Sequence, residues 1–180
     1  MAHRNTSAMR GALILIAFLI ISLVAPMAAQ AAYVGPGGST GATMMFNPAK
    51  VTISRASAAS LRIVVDTKGR PVNAVQIVLS FPDTRLDCSS FVQGTAWPFL
   101  AAKSCTSSEA KIAVGTDMGA TPFVGKATAA TVTFKPTQLT GISRVKFAAA
   151  GAVGGGCLVV SSSTNADILG PTNVATITVT

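Results

Sequence analysis

Hydrophobic and polar residues alternate along most of the chain from residue 44 onward. In residues 72–81 every second side chain from Val75 to Phe81 is apolar, and residues 61–66 and 175–180 repeat this spacing. A period of two places alternate side chains on opposite faces of a strand. One buried and one solvated face is typical of antiparallel sheets. The pattern therefore predicts an all-β fold built from antiparallel strands.

Turn-forming residues separate the apolar runs, and short strands at this spacing indicate a sandwich or a barrel. No segment longer than a turn or two has the periodicity of a helix. The clearest turn signals are Thr67-Lys-Gly69, Pro82-Asp83, Lys135-Pro136, Gly141 and Gly154-Gly-Gly156. The predicted strands cover residues 43–46, 50–54, 60–66, 72–81, 86–92, 110–115, 128–135, 143–149, 157–160 and 174–180.

The first 31 residues have the order of regions found in a secretory signal peptide. Arg4 and Arg10 lie in a polar start, residues 12–24 form an almost unbroken apolar run, and Ala29-Gln30-Ala31 offers a cleavage site between small residues. The apolar run is shorter than the about 20 residues that a membrane span needs. We therefore expect a signal-peptide helix over residues 1–31, cleavage after Ala31, and a secreted or cell-surface protein.

Three segments follow from this organisation. Residues 1–31 are predicted to be the signal peptide, the Gly-rich residues 32–43 a flexible linker, and residues 44–180 the β-sandwich domain. The alternative for the leader is that it stays uncleaved as an anchor, which would then be the chain's contact with a membrane.

The charge of the chain is positive but dispersed. Fourteen Lys and Arg stand against six Asp and Glu. The leader holds two of the basic residues, so twelve against six remain in the rest of the chain. They form no run and no basic helix, whereas nucleic-acid-binding proteins usually gather their cations on one element. No nucleic-acid partner is predicted, although weak attraction to anionic surface polymers is compatible with this charge.

The order of elements in the chain resembles the cohesin domain family. The resemblance rests on Met45-Phe46-Asn47-Pro48, on the strand of residues 61–66 with its Lys-Gly turn, on residues 72–83, on the strand and turn of residues 130–136, and on the closing Thr-Ile-Thr-Val strand. It covers nearly all of residues 44–180. Cohesins are jelly-roll β-sandwiches that share their fold with some cellulose-binding modules, so the resemblance implies a sandwich of this topology.

The resemblance also implies a binding face on the strand of residues 72–81. In cellulosomal cohesins the outer face of this strand helps to hold a dockerin, often through an Asn/Asp pair. The closest match puts Ala74 and Gln76 at that pair, so this recognition chemistry is absent. By alternation the outward side chains are those of Ala74, Gln76, Val78 and Ser80. We expect them to bind a dockerin-like or other surface protein, as in adhesion. The alternative is that a later segment, such as residues 151–156, covers this face.

Three cysteines follow the leader. A disulfide between Cys88 and Cys105 would close a loop of about 15 residues and is the preferred pairing in an exported protein. Three different single bridges remain open, and Cys157 is either a buried free thiol or an intermolecular link. There is no Cys-x-x-Cys spacing, and the one histidine, His3, lies in the leader, so no metal and no cofactor are predicted.

The residues do not favour an enzyme. Histidine-dependent triads require a histidine outside the leader. Turn chemistry accounts for Asp66, Asp83 and Asp87, and Asp117 and Asp167 are isolated in the sequence. The alternative function is a carbohydrate-binding module that takes part in polysaccharide degradation. Trp97 is its candidate glycan contact, with Phe99 and Tyr33 as poorer companions, but packing of Trp97 inside the fold is the favoured interpretation.

Overall fold

The computed structural model describes residues 41–137, 139–149, 152 and 155–180. The predicted signal-peptide helix and most of the predicted linker lie outside them. The described residues form strands and turns, with no helix, and none of their segments is a helix long and apolar enough to cross a membrane. The all-β prediction is therefore confirmed for this part of the chain.

Twelve strands are present in the described residues. Their bounds are β1 Ala42–Asn47, β2 Lys50–Ile53, β3 Ala59–Asp66, β4 Val72–Ser80, β5 Leu86–Gln93, β6 Phe99–Cys105, β7 Ala110–Gly115, β8 Lys126–Pro136, β9 Gly141–Phe147, β10 Leu158–Ser161, β11 Leu169–Thr172 and β12 Val174–Val179. One sheet has the order β11-β1-β3-β8-β5. The other has the order β2-β12-β9-β4-β7-β6, with β10 also paired to β4.

Both sheets are mixed, which corrects the expectation of a purely antiparallel sandwich. Strand β1 runs parallel to β11, and β12 runs parallel to β2. The reason is that the first two strands belong to different sheets, and so do the last two. The beginning and the end of the domain therefore lie side by side in each sheet. A period of two reveals that a strand is half-buried, but it carries no information on the direction of its neighbour.

The core lies between the two sheets and is mainly aliphatic. Its largest fully buried side chains outside the aromatic residues are Met44, Leu61, Ile63, Ile77, Leu86, Ile112 and Ile177. Two aromatic contacts join the layers. Phe46 of β1 stacks on Phe147 of β9 with ring centroids 4.1 Å apart, and Phe81 meets Phe134 of β8 edge-on at 4.9 Å.

Two strands escaped prediction. Strand β6 lies at the edge of its sheet with its first five residues exposed, so it shows no alternation of buried and solvated positions. Strand β11 contains Gly170 and Pro171, which weaken any strand pattern. Strand β1 begins at Ala42, which is fully buried, so regular structure starts two residues before residue 44.

Candidate protein-binding face

Strand β4 lies inside the larger sheet and turns alternate side chains to its two faces. It pairs with β7 on one side and with β10 and β9 on the other. Val75, Ile77 and Leu79 point into the core and are buried. The four residues that alternate with them belong to the outer side of the sheet, as the sequence predicted.

The structure brings these four residues onto one face but leaves them unequally open. Ser80 is exposed and Ala74 is half-buried, whereas Val78 is only 8% exposed. Gln76 is half-buried, and its Nε2 donates a hydrogen bond of 2.8 Å to the carbonyl oxygen of Gly156. The expectation of an open patch around Gln76 and Val78 is therefore wrong.

The chain that follows β9 is the physical reason for this correction. The backbone N–H of Ala148 donates to the carbonyl oxygen of Val78 over 2.8 Å. The Cys157 thiol lies beside the same peptide, with Sγ 3.3 Å from the Val78 nitrogen and 3.2 Å from its oxygen. Gly155 packs against the Gln76 amide. The covering of this face by a later segment, which the sequence left as the alternative, is seen at Gln76 and Val78.

Cys157 is a buried free thiol, and this decides between its two predicted states. Its side chain is 1% exposed, and burial raises the pKa of the thiol to about 11. A thiol that stays protonated and shielded at neutral pH reacts poorly.

The predicted disulfide between Cys88 and Cys105 is present. It links β5 of the smaller sheet to β6 of the larger one, and thereby fastens the two sheets together along one margin. The other end of β6 is held by Gln93 of β5, whose Nε2 donates to the carbonyl oxygen of Pro98 over 2.6 Å.

Trp97 offers no face to a ligand. Its side chain is 0% exposed and packs on Phe123, with ring centroids 4.7 Å apart. The prediction of a glycan contact at Trp97 is wrong, and the favoured packing interpretation is confirmed. The loop that carries Trp97 is pinned because Gly94 packs on the backbone of Thr128, where a side chain would collide.

An apolar groove lies beside the covered part of β4, and we call it the β4–β6 groove. It has a volume of about 480 Å³. Its walls are outward residues of four neighbouring strands and the loop after β7. The residues that give it its apolar character are Ala74, Phe99, Ala113, Met118, Leu158 and Val160.

Phe99 and Met118 give this groove its exposed apolar surface. Phe99 is 54% exposed, and Met118 projects fully into solvent. Gly115 lies directly across from Phe99 in the sheet, and a Cβ at that position would lie 3.9 Å from the Phe99 ring. Among the described residues that line the groove, exposed Asp117 carries the one charged side chain.

The sequence interpretation found only Ala74 and Gln76 of this groove. For Phe99 the sequence offers only a minor role, as a companion of Trp97. The available signal was the apolar run of residues 99–102 between the two bridged cysteines, which reads as an edge strand once its exposure is known.

Solved structures of similar fold are cohesin domains. The cohesin CaCohA2 of Clostridium acetobutylicum, in complex with the dockerin CaDoc0917, is 14% identical over 77% of this chain and 99% of that chain, with a TM-score of 0.63. The seventh ScaB type I cohesin of Pseudobacteroides cellulosolvens is 13% identical over 78% and 92%, also at 0.63. A non-cellulosomal cohesin of the archaeon Archaeoglobus fulgidus is 13% identical over 78% and 91%, at 0.57.

These similarities establish the fold. No known protein family profile and no curated protein matches the sequence. The described residues between 42 and 179 therefore have a cohesin-like β-sandwich fold, as the resemblance implied. The sequence identity is too low to carry a statement about ligand or activity.

Proposed function

We propose that the chain is a non-catalytic, extracellular protein-binding module, and that its partner is a dockerin-like domain or another surface protein. The observation that carries the proposal is the β4–β6 groove, an apolar surface that the described residues leave uncovered. Exposed apolar patches on otherwise polar proteins mark interaction sites.

The chemistry of the groove suits an apolar ridge on another protein. Exposed Phe99 is an aromatic anchor of the kind that contributes most to interface energies. Helical partners bind to grooves of this kind through apolar residues spaced three and four apart. Since Ala74 and Gln76 replace the Asn/Asp pair that the resemblance led us to look for, recognition here rests on apolar contact and shape.

The similar cohesin CaCohA2 was solved bound to a dockerin, and this supports a partner of that type. Two of the six carboxylates are held in structural contacts. Asp66 pairs with Lys68 at 2.9 Å, and Asp167 accepts hydrogen bonds from the backbone of Val159 and Leu169. Both acids have structural partners that account for them.

The second part of the proposal is that the protein acts outside the cytoplasm. The leader has the form of a signal peptide, and a Cys88–Cys105 disulfide persists where the surroundings are oxidising. Mass spectrometry of the protein secreted by its host is expected to give an N-terminus at or near Ala32. Recovery of intact residues 1–31 in the membrane fraction would instead show a retained anchor.

The binding experiment uses the secreted protein and purified dockerin domains from its host, with the affinity measured by biolayer interferometry. Phe99→Asp places a carboxylate in the groove and is expected to weaken binding about tenfold or more, because an aromatic anchor is lost and a charge is desolvated. Met118→Asp tests the same groove from its loop. Val92→Asp is the control, since Val92 is equally exposed on the smaller sheet. Unchanged affinity of both groove variants would refute the site.

A further inference from the structure

A second surface of the larger sheet carries basic side chains that lie close together. The outer side of β2, β12 and β9 carries Lys50, Arg144 and Lys146, all exposed. These three strands contain no acidic residue. We call this surface the cationic face. We propose that the cationic face binds an acidic polysaccharide.

The register of the strands places these cations close together. Lys50 lies opposite Thr176, and Thr176 lies opposite Arg144, so one row across three strands begins and ends with a cation. Two strand spacings separate them by about 10 Å, and Arg144 and Lys146 lie about 7 Å apart along β9. The long side chains at these positions can reach anionic groups that are repeated at similar intervals along a polymer.

No carboxylate within the described residues neutralises the cationic face. Lys50, Arg144 and Lys146 make no ion pair or side-chain hydrogen bond there. Ser80 lies opposite Lys146 in the sheet, and Asp83 follows Ser80 by three residues, outside strand β4. The other five acids lie outside these strands and are Asp66, Asp87, Glu109, Asp117 and Asp167. The field of the three cations is therefore available to an external anion.

The side chains between the cations favour a sugar polymer over a nucleic acid. The hydroxyl groups of Thr52, Thr176 and Thr178 lie on the same side of the sheet and have no hydrogen-bond partner in the described part of the chain. They are free to bond sugar hydroxyls and carboxylates. No aromatic residue lies among the outward side chains of these strands, so bases would find no stacking platform.

Two exposed apolar side chains border the cationic face. Ile142 is 64% exposed and Val174 is 44% exposed. Ile142 lies two residues from Arg144 in β9, and Val174 lies two residues from Thr176 in β12, so each is on the same face as these polar side chains. They offer contact to the carbon-bound hydrogens of a sugar ring. The β4–β6 groove lies across β4 from this surface, and the two sites share no residue, so each can be tested without the other.

The test measures binding of the secreted protein to polygalacturonate by affinity electrophoresis and calorimetry. Wild-type protein is expected to bind, and its affinity is expected to fall as ionic strength rises from about 50 to about 200 mM because exposed charges are screened. Lys50→Gln, Arg144→Gln and Lys146→Gln combined are expected to lower the affinity about tenfold or more. The matched control combines Arg62→Gln, Lys103→Gln and Lys126→Gln, which removes the same charge from exposed positions elsewhere.

Three outcomes would overturn the proposal. Equal loss in both triple variants would show that net charge, rather than this surface, attracts the polymer. Equal binding of fully methyl-esterified polygalacturonate would show that the anionic groups are not recognised. Tighter binding of single-stranded DNA of the same total charge would replace the polysaccharide by a nucleic acid. Near-wild-type binding of the control, together with loss in the cationic-face variant, is the supporting result.

Discussion

The side chain of Asn173 pairs with the backbone of Phe46 through both of its amide atoms. Its Oδ1 accepts the N–H of Phe46 over 2.7 Å, and its Nδ2 donates to the carbonyl oxygen of the same residue over 3.3 Å. Asn173 is the single residue between β11 and β12, the point where the chain passes from one sheet to the other. The Asn173 side chain therefore satisfies the hydrogen-bonding groups of Phe46 in β1 at the point where the neighbouring strand β11 ends.

Replacing Asn173 by Ala is expected to lower the free energy of unfolding by about 1–3 kcal/mol, because two backbone groups of a partly buried strand lose their partner. Urea denaturation followed by tryptophan fluorescence measures the change. Thr172→Ala is the control, since the neighbouring Thr172 is exposed and its side chain makes no hydrogen bond within the described residues. Equal effects of the two variants would contradict the role given to the amide.

Val78→Glu is expected to destabilise the domain by about 2–4 kcal/mol, because it buries a carboxylate beside the Cys157 thiol without a partner. Ser80→Glu changes the next outward position of the same strand, which is exposed, and is expected to leave stability nearly unchanged. Thermal denaturation of both variants measures the difference in stability between the covered and the exposed position. Wild-type stability of the Val78 variant would show that the outer face of β4 is open after all.

The Cys88–Cys105 disulfide is expected to contribute about 2–4 kcal/mol, because it restricts the unfolded chain over a loop of 17 positions. Urea denaturation with and without reductant measures this, with the paired Cys88→Ser and Cys105→Ser variant as the reference that reductant no longer affects. Non-reducing peptide mapping is expected to join the two cysteine peptides and to leave Cys157 outside. A dominant bridge to Cys157 would refute the pairing.

Alkali is expected to weaken the fold through Cys157. Burial raises the pKa of the thiol to about 11 from an ordinary value of 9.0. A raised folded pKa means that the stabilisation is complete below the unfolded pKa and is lost as the pH rises from 9.0 to about 11. The wild type should lose more stability over this interval than Cys157→Ala, measured by urea midpoints. Parallel pH curves for the two proteins would contradict this.

The fold could be predicted from the sequence where one face of a strand is buried and the other faces solvent. Strands β3 and β12 meet that condition, and alternation located them. Strand β6 does not, because an edge strand with both faces open carries no period. The direction of β11 and β12 depends on which distant strand each one meets, and no local pattern encodes this.

The candidate site was harder to predict from the sequence for a related reason. Alternation correctly put Val78 on the outer side of the sheet, but its burial depends on the segment that returns after β9. Trp97 was harder still, since a lone tryptophan in a loop has the same local sequence whether its ring faces solvent or Phe123. Local pattern thus fixed the side of the sheet, and long-range packing decided exposure.

The placement of the two ends of the domain side by side has a consequence for how the chain matures. Strand β1 cannot complete its sheet until β11 arrives, and the contact of Phe46 with Asn173 spans 127 positions. Contacts this distant form late and slow the search for the native state. A chain emerging from the ribosome thus cannot close this sandwich until β11 and β12 have been made. For the exported protein proposed above, we expect this delay to leave the polypeptide open enough to pass through a secretion channel and to close the sandwich on the far side of the membrane.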